Sequence, residues 1–138
     1  MPQNVRIYFP GISKSKIAKA VNSTLPKNKA VNDFGLIFVS SRRMAELNKK
    51  YRAKEGPTSV LSFTAYNEPR PGWGTGDVVI CPSVVKKEAE KAGFTQKKWM
   101  TWLIVHGILH LAGYDHKTQK DRIKMEKLED KVLKKLGL

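Results

Sequence analysis

All three histidines of this chain fall within eleven residues, His106-Gly-Ile-Leu-His110-Leu-Ala-Gly-Tyr-Asp-His116. His106 and His110 are four apart, so on a helix their imidazoles project from one face at successive turns and can share a metal ion. Gly113 stands three residues beyond His110, where a glycine in the left-handed conformation ends a helix and turns the chain back. That return would deliver His116 to the same point. Three neutral imidazoles leave one position of a tetrahedral Zn²⁺ open, which is the pattern of a catalytic site, whereas structural zinc is closed by four protein ligands. Water at such a site has its pKa lowered towards about 7. A lone histidine on an apolar helix is ordinarily a core residue, but three at these spacings around a helix break point to one Zn²⁺ per chain.

The spacing H-x-x-x-H-x-x-G-x-x-H is shared with the metzincin peptidases, whose residue after the first histidine is a glutamate serving as general base. Here that residue is Gly107. The metal is therefore expected to act on something other than a peptide bond, and a peptidase-like zinc hydrolase stays open only through another carboxylate. Cys81 has no partner for an internal disulfide, and in its apolar run it reads as a buried, inert thiol rather than a fourth ligand.

The site sits in a strongly basic chain: 26 Lys and Arg against 12 Asp and Glu give +14 over 138 residues. Such an excess implies a polyanionic partner, most simply a nucleic acid, because each neutralised phosphate releases counterions; lysines that merely keep the protein soluble are the lesser alternative. No segment approaches the roughly 20 apolar residues of a membrane span. Met1 to Pro10 shows no secretory signal, so a cytoplasmic protein without membrane or disulfide partners is expected. The length suits a single domain, 1–138, with one core.

The elements that must position the histidines follow from periodicity. Val5, Ile7 and Phe9 alternate as in a half-buried strand. Ser13 is placed to cap a first helix, and Phe34 to Val39 reads as a buried strand. Ser40 or Ser41 can cap a second helix bearing Met44, Leu47 and Tyr51. Thr58 to Tyr66 and Asp77 to Cys81 supply two more strands, separated by a Pro- and Gly-rich loop, Asn67 to Gly76. That loop carries Trp73 and reads as a hairpin connection with a partly buried tryptophan or as a flap beside a cleft. Beyond Pro82 the pattern is helical: one helix to Gly93, a central one from Thr95 through Leu111 that is apolar nearly all round, and a last amphipathic one from about Gln119 to Leu136.

The block His106 to His116 resembles H-G-x-L-H-L-x-G-x-D-H, the signature of the YbeY family of zinc-dependent endoribonucleases. Asn48 to Phe63, NKKYRAKEGPTSVLSF, is similar to that family's N-x-x-Y-R-x-K-D-x-P-T-D-V-L-S-F, and GDVVICP from Gly76 to its G-D-I-x-I block. Glu55 and Ser59 stand where the family has aspartates, and Ser59 can accept a hydrogen bond but carries no charge. The resemblance implies metal ligation by His106, His110 and His116, with Arg52 as the catalytic arginine beside the cleft. A planar guanidinium suits that place because it can hold phosphate oxygens bidentately; a surface ion pair with Glu55 or another carboxylate is the structural alternative. Asp77 could orient a ligand imidazole or merely end a turn. Asp115 could do likewise or bond its local backbone.

The resemblance further implies an α+β fold, a small mixed four-stranded sheet packed by about five helices, with the metal on the central helix and the turn after it. It implies an endoribonuclease acting on ribosomal RNA, in 16S 3′-end maturation and ribosome quality control, with small-subunit components as partners. A noncatalytic ribosome assembly factor with a structural metal is the third possibility.

Overall fold

The computed structural model describes residues 13–64 and 76–138. Helix starts follow the hydroxyl signals. Ser13 Oγ accepts from the Lys16 amide at the head of α1 (Lys14–Thr24), and Ser40 Oγ from Arg43 at the head of α2 (Ser41–Arg52). Thr95 and Thr118 do the same for α4 (Gln96–Leu111) and α5 (Gln119–Lys135). Each cap satisfies an amide that the helix cannot bond internally. Helix α3 (Pro82–Ala92) instead begins with proline, whose missing N–H costs nothing there.

Three strands form one mixed sheet in the order β1-β3-β2. β1 (Phe34–Phe38) runs parallel to β3 (Gly76–Ile80), and β2 (Val60–Thr64) runs antiparallel to it. The sequence led us to expect four strands, so the sheet among the described residues is one smaller. The remaining expected strand, Val5 to Phe9, lies outside them, as do Tyr66 and the loop bearing Trp73. The five expected helices are present, and the fold is α+β.

Alternation along the strands divides the core in two. Phe34, Leu36, Phe38, Val78 and Ile80 pack with α1, α4 and α5, while Leu61, Phe63, Val79 and Cys81 pack with Met44 of α2 on the other face. Helix α4 lies against the sheet between β3 and the surrounding helices, with nine residues buried, which accounts for its nearly uniform apolarity. Its approach to the sheet is close: a Cβ on Gly107 would stand 2.7 Å from Val78 Cγ1 and 3.1 Å from Ser62 Oγ. Ser62 Oγ donates to the Gly107 carbonyl at 3.2 Å, which fixes the register between α4 and β2. Among the described residues no helix is long and apolar enough to cross a membrane.

Candidate metal centre

Helix α4 ends as its sequence requires. Gly113 takes φ +98°, its amide bonds the His110 carbonyl at 3.0 Å, and the Tyr114 amide bonds the Leu109 carbonyl at 3.0 Å. This paired closure satisfies the last carbonyls and reverses the chain. His116 returns beside the helix, and its backbone N–H donates to Asp115 Oδ1 at 2.6 Å. Asp115 thus makes the local bond, and its carboxylate braces the turn that carries the third histidine.

The three imidazoles converge, with one ligand nitrogen from each lying within 4.8 Å of the others. His106 and His110 approach through their Nε2 atoms at 3.1 Å, and the His116 ring stands 5.7 Å and 5.2 Å from theirs, centroid to centroid. Burial and the two neighbouring imidazoles, in that order of weight, push the His110 pKa below its usual 6.5, against a smaller raising effect of Asp115. That favours the neutral form a metal needs. Three imidazole nitrogens facing one point fit a borderline-soft divalent metal ion.

A cavity of about 640 Å³ opens over the histidines and is walled on the far side by Asn48, Arg52, Lys54, Thr58 and residues of β2. Arg52, the last residue of α2, is anchored. Its Nη2 donates to the Ser62 carbonyl at 2.7 Å, its Nη1 to the Tyr51 carbonyl at 3.2 Å, and the guanidinium lies 5.0 Å over the Phe63 ring. Glu55 pairs with Lys49 instead, at 3.9 Å and in the open. Asn48, buried at the cavity edge, donates to the Gly56 carbonyl at 2.9 Å and so holds the loop between α2 and β2.

The other expected supports are not brought to the histidines. Asp77 is buried with its carboxylate on the side of β3 away from Val78 and α4; its Oδ1 stands 2.2 Å from where a Cβ on Gly35 would be. Ser59 is also buried, and its carbonyl accepts from the Cys81 amide at 2.9 Å while its neighbour Thr58 reaches the cavity. Cys81 is free and buried in the α2-facing core.

One site residue escaped the sequence reading. Glu129 of α5 is 3% exposed, and its Oε2 lies 2.5 Å from His106 Nδ1. The signal was available: Glu129 falls four residues after Met125 and three before Val132, inside the buried stripe of α5, where an unpartnered carboxylate would be costly.

A family profile described as Endoribonuclease YbeY matches residues 10–137. A curated Endoribonuclease YbeY of Bartonella bacilliformis is 37% identical over 126 residues, covering 87% of this chain and 80% of the relative. One from Coxiella burnetii is 43% identical over 114 residues, covering 80% and 72%. A solution structure of a Thermotoga maritima protein superposes with TM-score 0.54 at 28% identity, over 91% of this chain and 88% of that one.

Proposed function

This chain belongs to the endoribonuclease YbeY family, and on that premise we propose that it is a zinc-dependent endoribonuclease acting on ribosomal RNA, folded as a single cytoplasmic domain. The observation that carries the reading is the sharing of one cavity by three convergent imidazoles and an anchored arginine. His106, His110 and His116 would hold one Zn²⁺, with small-subunit ribosomal components as the natural setting of the substrate. When bound, zinc supplies Lewis acidity, drawing charge from a phosphoryl oxygen and making water more acidic.

The chain's own residues supply the rest. Arg52 is preorganised by two backbone carbonyls and the Phe63 face, so it can present its other N–H donors to a phosphate with little side-chain ordering left to do. Lys54 lines the cavity, and Lys29 and Lys124 lie 5.9 Å and 5.8 Å from the centre of the Tyr114 ring, itself part of the cavity wall. Lysines at the cavity wall suit a polyanionic strand.

A peptidase reading is disfavoured by packing as well as by sequence. The position that would carry its base, Gly107, faces Val78 and Ser62 rather than the cavity, and has no room for a side chain. The test is cleavage of defined ribosomal RNA fragments by the purified protein, with chelator and with zinc restored, beside a peptide panel. Metal-dependent RNA cleavage without peptide hydrolysis is expected. Tight ribosome binding without turnover would favour an assembly factor instead.

A further inference from the structure

We propose that Glu129 is a positioning residue of the metal centre, holding the His106 ring from α5 in the tautomer and orientation that present Nε2 to the ion. The inference rests on the three-histidine reading above and adds to it a residue from a different helix.

Glu129 sits on the buried stripe of α5 beside Met125, Val132 and Leu133, where a carboxylate is expensive unless it is partnered. Its partner is His106 Nδ1, twenty-three residues away in sequence, so the contact is not a by-product of neighbouring turns on one helix. A carboxylate offers only lone pairs, and the proton between the two groups therefore sits on Nδ1. That leaves the Nε2 lone pair of His106 free, and Nε2 is the atom that points into the cluster, 3.1 Å from His110 Nε2. The hydrogen bond also removes the freedom of the ring to turn about its bond to Cβ. A donor that is already in the right tautomer and orientation loses less on binding a metal, and the carboxylate raises its basicity.

The plain alternative is that Glu129 only docks α5, which has few other buried residues. Two variants and one spectrum separate these. Zn²⁺ affinity of the metal-stripped full-length protein would be measured by competition with a chromophoric chelator for wild type, Glu129→Gln and Val132→Ala. The last loosens the same helix without touching His106. Glu129→Gln is expected to weaken Zn²⁺ binding by 10-fold or more, within the 10–100-fold usual for such partners, and Val132→Ala by less than about two-fold. Equal losses in the two variants, or an unchanged Glu129→Gln, would overturn the assignment while leaving the three-histidine site in place. Failure of wild type to bind Zn²⁺ would overturn the site itself. Nitrogen-15 NMR of the zinc-loaded wild type needs no variant: His106 is expected as the Nδ1–H tautomer with Nε2 bound, and Nε2–H or ligation through Nδ1 contradicts the proposal.

Discussion

Gly107→Ala is the smallest change that tests how the helix carrying the histidines is seated. The new methyl would lie 2.7 Å and 3.0 Å from the two methyls of Val78 and 3.1 Å from Ser62 Oγ, where ordinary contact starts near 3.4 Å. Val78 is fully buried and cannot swing aside, so α4 must lift from the sheet by about 0.7 Å at its tightest point. Overpacking of this kind costs about 1–3 kcal/mol, which for a domain of this size lowers Tm by roughly 3–12 °C. The histidines all hang on α4 and the turn after it, so they move together and Zn²⁺ stoichiometry should persist. Arg52 stays behind on α2, across the cavity, and misplacement between the two sides should cost about 10- to 100-fold in kcat. Thermal unfolding by circular dichroism, metal analysis and single-turnover RNA cleavage on the same preparation read the three quantities. An unchanged Tm with unchanged turnover would refute the close packing and the division of the site across it.

Arg52→Lys keeps the charge but replaces an anchored planar donor by a flexible one. It is expected to lower kcat 10-fold or more, about 1.4 kcal/mol at least, with metal content and RNA affinity little changed; full turnover would remove Arg52 from the chemistry. The lowered His110 pKa means that below about 6.5 the unfolded chain takes up a proton before the folded one does. Stability of the metal-free protein is therefore present above that pH and is lost as pH falls towards the folded pKa. Urea unfolding at pH 7.5 and 5.5 should show the loss in wild type and a smaller one in His110→Gln. RNA affinity should fall with salt on logarithmic axes, with a slope of about 0.7 per neutralised phosphate, and a flat line would leave the +14 charge to solubility.

The site was legible where local chemistry sets geometry. The four-residue spacing of His106 and His110 and the glycine at 113 dictated convergence before any tertiary contact was known, and the hydroxyls at 13, 40 and 95 marked helix starts that are observed. What the sequence concealed depends on which face of an element meets which neighbour. Asp77 looked available to an imidazole until β3 proved to turn it towards Gly35, on the side opposite α4. Glu129 passed unnoticed because its role lies in a contact between α5 and α4 that no local pattern encodes, although its place in an apolar stripe was visible. Gly107 reads in sequence as a missing base. In three dimensions it is also a point of close approach between helix and sheet.

RNA cleavage should depend on a metal held by the three histidines. The most direct test of that dependence is zinc restoration to chelator-stripped protein, with bound metal and cleavage rate of a ribosomal RNA fragment measured in the same samples. Cleavage should rise in proportion to occupancy and level off at one ion per chain in wild type, while His110→Ala gains neither metal nor activity. Cleavage that persists in stripped protein, or that His110→Ala retains at wild-type rate, would contradict the account.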